Sequence, residues 1–289
     1  MLLLSIIAAF LQSTTDLIIK KLSSKINPYT LSLGTGLGIV FVNLPILFFR
    51  DIDFSTFNLN IQFFLAFIIT AIMFAAANIF MNKAFSISDL SLVVPIINFT
   101  PLFTLLLQFL ILRTIPNNTA IVGIFVIILG SYFLKLDLDK VGIFEPIKNL
   151  YRDRGAQYML FVSFVWALDN ILAKIGTGLS EPSFWTITTR MATVLITLPI
   201  AMKFDPNWLK NLKQNWFFIL IMGCIAGISV TIINYLLAKY DPSIVTSLLR
   251  LATLFSVFYG MFVFKEKNAL FRVVGVLVMI AGIVLISFS

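Results

Sequence analysis

The chain has 289 residues; 60% are hydrophobic and only 12% charged, with 30 Phe, one Cys, no His and a formal net charge of +8. A soluble domain carries roughly a quarter of its residues as charged side chains, so this composition, with a mean hydropathy of +1.01, excludes a water-soluble globular fold and places the chain in lipid. Without histidine there is no Ser-His or Cys-His catalysis and no His-ligated metal, and the lone Cys224 cannot form an internal disulfide.

Ten apolar runs of spanning length follow one another, at roughly 2–21, 28–49, 61–82, 91–112, 118–135, 158–175, 182–203, 215–236, 242–264 and 268–287. In hydrocarbon every backbone group must pair within its own segment or in a closed barrel, so runs this long predict helices. The first lacks a basic n-region and a small-residue cleavage site, and is read as a retained helix. Pro95 and Pro101 should bend the fourth helix and free carbonyls toward a cavity; the ninth has no internal proline and is expected to be less bendable. The stretches "GTGLG" (34–38) and "GCIAG" (223–227) permit close helix approach. Gly123, Gly130, Gly275 and Gly282 keep one side of the fifth and tenth helices smooth.

The stretch "TDLIIKKLSSKINP" (15–28) returns as "DNILAKIGTGLSEP" (169–182). An offset of 154 aligns Lys20 with Lys174, Pro28 with Pro182, Leu44-Pro45 with Leu198-Pro199 and Asp51 with Asp205; after a two-residue gap, an offset of 152 aligns Gly123 with Gly275 and Gly130 with Gly282. The unit is therefore five helices, written twice: 1–135, a connector over 136–157, and 158–289. Five is odd, so helices of alternating direction insert the second unit the opposite way up. The expected fold is all-α and integral to the membrane, with ten transmembrane helices as two inverted five-helix repeats and a solute site between the halves. Lysine and arginine in the loops number 4 on the face carrying the termini and 15 on the other, which predicts non-cytoplasmic termini. Such a pattern belongs to topology; no basic, aromatic-interleaved surface suggests nucleic acid.

Charges at membrane depth cost ~2.5–3.5 kcal/mol on insertion scales and are functional candidates by default. Arg190 and Arg250 each lie eight residues past the proline that opens their span, about 12 Å deep. Asp169 precedes Lys174, the expected end of the sixth helix, by five residues, about 7–8 Å deep. The three can form one layer whose leftover positive charge suits a carboxylate or phosphate, which an arginine fork matches bidentately. The competing reading is a structural Asp169–Arg190 pair and snorkelling arginines. Asp16 stands four residues before Lys20, as a helix-end ion pair or as a binding or proton-coupling carboxylate. Gln12 shares its face; Trp166 and Asn170 share the matching face of the sixth helix, and Asn78 and Asn82 one face of the third. Asn234 and Tyr235 lie on the eighth helix, and Asn98 is the repeat mate of Arg250. Interhelical hydrogen bonding is the alternative role for all of these.

Three features carry a resemblance. They are the two five-helix units; the stretches "KAFSISDLSLVVPIINFTPLFTLLLQFLIL" and "LLAKYDPSIVTSLLRLATLFSVFYGMFVFKE"; and the glycine pattern of the fifth and tenth helices. On these the chain resembles the EamA-like group of the drug/metabolite transporter superfamily, over nearly its whole length. Lys265-Glu266 fits that family's pattern after the fourth helix of a unit, whereas the first copy has Arg113-Thr114. The family's arginine in the second helix of a unit is present as Arg190 and replaced by Gly36 in the first. The resemblance implies a cavity lined by the first, third, fourth, sixth, eighth and ninth helices, with the seventh further out, in a bacterial or archaeal cell membrane. It implies a permease, as an exporter working by alternating access, for a small organic metabolite such as an amino acid or related anion. A carrier of a larger anion (a nucleotide sugar, sugar phosphate or lipid-linked phosphate) is the alternative. No enzymatic constellation is legible. No cofactor is expected, proton coupling is open, and the partners are the bilayer and a small-molecule substrate, with the chain a monomer or homodimer.

Overall fold

The computed structural model describes residues 1–23, 25–49, 53–88, 94–135, 153–255 and 269–288, and every regular element among them is helical. The helices are α1 (Leu2–Ser23), α2 (Pro28–Phe49), α3 (Ile61–Ile87), α4 (Thr100–Leu107), α5 (Asn118–Lys135), α6 (Arg154–Leu179), α7 (Pro182–Phe204), α8 (Trp216–Lys239), α9 (Pro242–Leu249) and α10 (Ala269–Ser287). A 3-10 stretch, Val94–Phe99, leads into α4 and a π turn, Gln108–Leu112, follows it; a short helix, Trp208–Gln214, joins α7 to α8. Six helices (α1, α2, α3, α6, α7 and α8) are long and apolar enough to cross a membrane. Shorter apolar stretches cover Ile96–Leu112, Asn118–Ser131, Pro242–Phe255 and Val274–Ser287. Most of the 136–157 connector, the end of the ninth span and Lys265-Glu266 lie outside the described residues.

Side-chain caps fix several helix starts. Asn60 accepts from Phe63 N at 3.1 Å at the head of α3, and Asp153 accepts from Ala156 N at 2.7 Å at the head of α6. Glu181 accepts from Ser183 N and Phe184 N, with Pro182 opening α7. Each cap satisfies amides that the first helical turn leaves unpaired. Two expectations about length change. The sixth helix does not end near Lys174 but runs on to Leu179, so Asp169 stands ten residues from its end, about 15 Å deep rather than 7–8 Å. Lys174 is held inside the helix, where its Nζ donates to the carbonyls of Ala238 and Tyr240, 3.2 Å from each, at the end of α8.

The ninth span also departs from expectation. It has no internal proline, yet its α-helical ladder stops at Leu249, and Arg250 N bonds to Ser247 O at 3.1 Å instead of to the carbonyl of Thr246. Leu251 N likewise bonds to Leu248 O at 3.0 Å and Thr253 N to Arg250 O at 2.9 Å. A 3-10 step therefore interrupts α9 at the repeat mate of Asn98, which itself lies in the 3-10 stretch before α4.

Packing relates the two groups of five. α5 packs on α10, α2 on α7 and α4 on α9; α3 packs on α6 as α8 packs on α1. The contacts give direction. A Cβ added at Gly123 would lie 2.8 Å from the carbonyl oxygen of Gly282, and one at Gly130 would lie 2.9 Å from that of Gly275, so α5 and α10 run antiparallel. Thr30 and Tyr29 at the head of α2 meet Asp205 and Phe204 at the foot of α7. Ser243 N at the head of α9 donates to Gln108 Oε1 beyond α4, while Thr253 meets Asn98 at the other end. The two glycine-rich stretches meet as the sequence suggests: a Cβ at Gly38 would lie 2.5 Å from Gly223 Cα, a contact that only two glycines allow.

Asp205, just past α7, ties this packing to a loop. It accepts from Thr30 Oγ1 at 2.5 Å, Asn211 Nδ2 at 2.9 Å and Asn207 N at 3.0 Å. Burial pushes its carboxyl up, but these three donors outweigh burial and hold its pKa below the ordinary value of 3.8. A depressed folded pKa contributes stability above the unfolded value that is lost as pH falls through the folded one. Asp205→Asn should therefore lower the melting temperature in detergent at neutral pH, and the gap to the wild type should close as the pH falls below about 4.

Candidate functional site

Charge and polarity converge between the two groups of five. A cavity of about 130 Å³ is lined from α1 by Gln12, Thr15 and Asp16, from α3 by Phe74 and Asn78, and from α6 by Trp166, Asp169 and Asn170. Arg190 of α7, Ser229 and Asn234 of α8, and Thr246 and Arg250 of the ninth span complete the polar wall, with Thr35 of α2 and Thr100 of α4. Among the described residues, none of its lining comes from α5 or α10. Nine of the twelve residues singled out from the sequence are here.

Three are elsewhere. Asn98 is buried, donating its amide to Ser131 O at 3.1 Å, an interhelical bond to α5. Tyr235 is 37% exposed on the outer side of α8, with its hydroxyl 2.6 Å from Lys239 Nζ. Both are polar positions on the right helix but on another face of it. Asn82, the helical neighbour of Asn78, also turns away and donates to Ser32 Oγ at 2.8 Å. Sequence reasoning missed Thr15, Thr35, Thr100, Ser229, Thr246 and Phe74. Hydroxyls of Ser and Thr recur throughout the helices as donors to the backbone one turn earlier, Thr246 Oγ1 to Pro242 O among them, so composition alone does not mark the cavity-facing ones. The seventh helix was expected to lie further out, yet Arg190 reaches the cavity.

Arg190 is 2% exposed. Its Nη2 donates to Asp169 Oδ2 at 3.3 Å, and its guanidinium carbon lies 3.4 Å from the centroid of the Phe74 ring. Asp169 neutralises the charge and the ring face adds a cation–π contact that fixes the guanidinium plane. Nε and Nη1 of Arg190 have no hydrogen-bond partner among the described residues. Oδ1 of Asp169, beside the hydroxyl of Thr70, makes no hydrogen bond of normal length either.

Arg250 is held differently. Pro101 has no N–H to give to the carbonyl four residues back, so Ile97 O is free to accept from Thr100 Oγ1 at 2.7 Å and from Arg250 Nη1 at 3.1 Å. The expectation that Pro101 frees a carbonyl for the cavity thus has a specific outcome: it anchors the second arginine. Asp16 supplies the opposite charge near Arg250, while Nε of Arg250 has no partner among the described residues. Trp166 Nε1 and Gln12 Oε1 are likewise buried and unmatched. Buried polar atoms are nearly always paired, so an unmatched set around one cavity marks where solute or water bonds. The donors in that set are Arg190 Nε and Nη1, Arg250 Nε and Trp166 Nε1; the acceptors are Gln12 Oε1 and Asp169 Oδ1. Two arginines and two aspartates make the lining formally neutral, where the sequence suggested a net positive layer.

Among known proteins, the profile of the EamA-like transporter family matches residues 1–136 and 153–288. A curated relative from Methanothermobacter thermautotrophicus, named as an uncharacterized transporter, is 23% identical over 194 residues. That alignment covers 67% of this chain and 55% of the relative, so it spans about half of the relative's length. A protein known from a crystal structure shares the fold, with a TM-score of 0.79 over 99% of this chain and 96% of its own, at 12% identity.

Removing one member of a buried ion pair strands the other and costs about 3–5 kcal/mol, whereas replacing both with apolar residues is often neutral. Asp169→Leu alone should therefore lower the melting temperature sharply. Asp169→Leu combined with Arg190→Met should recover most of the loss, as read by thermal unfolding in detergent.

Proposed function

The chain belongs to the EamA-like transporter family and is a multi-pass integral membrane protein; on that premise we propose that its central cavity carries a small zwitterionic solute of the amino-acid type across the membrane. The observation that carries the solute class is the unmatched set of cavity atoms. Four donors call for a carboxylate, and two acceptors beside two aspartates call for an ammonium group. A dianionic phosphate meets the donors but places negative charge against Asp16 and Asp169. Size argues the same way. Apolar cavities of roughly 150 Å³ hold a molecule the size of benzene, and this one, at about 130 Å³, suits a compact metabolite rather than a whole nucleotide sugar.

Transport by alternating access is part of the same proposal. The antiparallel packing of α5 on α10, α2 on α7 and α4 on α9 supports two five-helix units inserted in opposite senses. The glycine contacts support it most directly. The offset of 152 maps Gly123 onto Gly275 and Gly282 onto Gly130, so it maps the contact of Gly123 with Gly282 onto that of Gly275 with Gly130. An arrangement in which each unit can adopt the other's shape offers two states of similar energy, between which a solute shifts the balance only by binding them unequally. In this reading no cofactor takes part, the termini lie outside the cytoplasm and solute moves outward. A coupled proton would travel on Asp16 or Asp169.

Binding is tested by thermal shift of the detergent-solubilised protein against amino acids, sugar phosphates and nucleotide sugars. A specific ligand at a hundred times its Kd stabilises by about 2.7 kcal/mol. An amino acid is expected to raise the melting temperature; a rise with a sugar phosphate or nucleotide sugar alone overturns the zwitterion reading. Arg250→Ala should weaken binding at least about 30-fold, from the 2–5 kcal/mol lost when a buried charge contact is truncated, and abolish flux in proteoliposomes while the protein still elutes as a folded species. Flux at the wild-type rate in that variant removes Arg250 from the site.

A further inference from the structure

The corner where α2 begins and α3 and α7 end carries a built arrangement that the cavity does not use. Tyr29 stacks on Phe204, with ring centroids 4.9 Å apart and an interplanar angle of 18°. Lys83 Nζ lies 4.7 Å from the centroid of the Tyr29 ring, and Lys203 Nζ lies 5.5 Å from that of Phe204. Two ammonium groups thus flank one aromatic pair. Beside it, the short helix Trp208–Gln214 turns Leu212 inward onto the core that includes Ile219 and Met222, and leaves Leu209, Lys210 and Lys213 exposed. The first residues of α8, Trp216, Phe217 and Phe218, are exposed as well. Among the described residues the acids here are Asp205, whose carboxylate is already occupied by Thr30, Asn211 and Asn207 N, and Asp153 beside the end of α3, which accepts from Ser88 and Ala156 N. Among the described residues the corner therefore offers exposed lysines with both of its carboxylates already hydrogen-bonded.

Exposed aromatic rings with lysines at their edge are the chemistry of a bilayer boundary. The rings sit among headgroups, while the lysines reach out along apolar stems toward phosphate. We propose that this corner binds the anionic headgroup of a membrane phospholipid, through Lys203, Lys210 and Lys213, with the Tyr29–Phe204 stack and Trp216 against its glycerol and upper acyl chain. Neutral lipid gives the apolar contacts but offers the three ammonium groups no net charge. The site does not depend on which face is cytoplasmic.

The chain carries its own reporter. Of its four tryptophans, Trp166 lines the cavity and Trp185 is fully buried, while the other two stand beside the lysines: Trp208, half-buried at the head of the short helix, and Trp216, 61% exposed. The full chain is reconstituted in phosphatidylcholine vesicles that contain a fixed minor fraction of either brominated phosphatidylglycerol or brominated phosphatidylcholine. Bromine quenches tryptophan only at close range. Quenching by the anionic lipid should exceed that by the neutral lipid at least about twofold, from the attraction of basic side chains to an anionic surface. The triple variant Lys203→Gln, Lys210→Gln, Lys213→Gln should lose the excess while keeping the wild-type circular dichroism, and Trp208→Phe combined with Trp216→Phe should remove most of the quenchable signal. Inorganic phosphate, added against chloride at matched ionic strength, should leave the excess in place. Equal quenching by the two lipids in the wild type overturns the site, as does an excess that survives in the triple variant. An excess abolished by free phosphate overturns the lipid assignment.

Discussion

Two guanidinium groups buried at membrane depth set the terms for the rest of the molecule. A buried charge is tolerated only when it is paired and hydrogen-bonded, and the chain supplies each arginine with a different solution. Arg190 receives an aspartate and an aromatic face, Asp169 and Phe74, from α6 and α3. Arg250 receives a backbone carbonyl that a proline has released, Ile97 O, and the opposite charge of Asp16. Each solution requires several helices to meet at the centre. The glycines that let α2 approach α8, and α5 approach α10, are what allow that convergence.

Partial pairing is the observation on which the proposed solute-binding role of these arginines rests. A purely structural pair would use the guanidinium donors inside the protein, and the energy of the site would be spent on folding. Here Arg190 keeps two nitrogens unmatched and Arg250 keeps one. Protein contacts hold each group in place, and its remaining donors face a space that can contain a solute. Under the proposed function, the balance of two arginines with two aspartates would discriminate solutes by charge distribution rather than by net charge.

Much of this was legible in the sequence because lipid simplifies the reading. Spanning runs, the two-register repeat and the rarity of intramembrane charge pointed to the helices and to Arg190, Arg250, Asp16 and Asp169 before any contact was known. What failed did so for local reasons. Lys174 looked like a helix end, but its amine finds two carbonyls at the end of α8, so the helix continues past it. Helix α9 looked straight for want of proline, yet the 3-10 step at Arg250 breaks it. Proline is a sufficient cause of a broken ladder and not a necessary one. Tyr235 and Asn98 were assigned to the right helices, but a face of a helix that is apolar nearly all round is not readable from periodicity, since lipid and core accept the same side chains. Asn98 spends its amide on α5, and Tyr235 turns toward Lys239.

The site is less symmetric than the scaffold that holds it. Arg250 has Asn98 as its mate, and Asn98 is occupied by Ser131. Arg190 has Gly36 as its mate, where a Cβ would lie 2.9 Å from Val194 of α7. The first unit thus gives up an arginine where the second unit packs tightly against it, and both buried guanidiniums belong to the second unit. If the two units exchange shapes during transport, the backbone of the exchanged state repeats that of the first, but the charges do not return to equivalent places. Arg250 would leave a carbonyl freed by Pro101, and the first unit offers no arginine to take the corresponding position. A solute held by these donors therefore meets unequal sites in the two states. Unequal binding is the condition under which a solute can drive the exchange at all, so the departures from symmetry at Gly36 and Asn98 are where direction and specificity can be set.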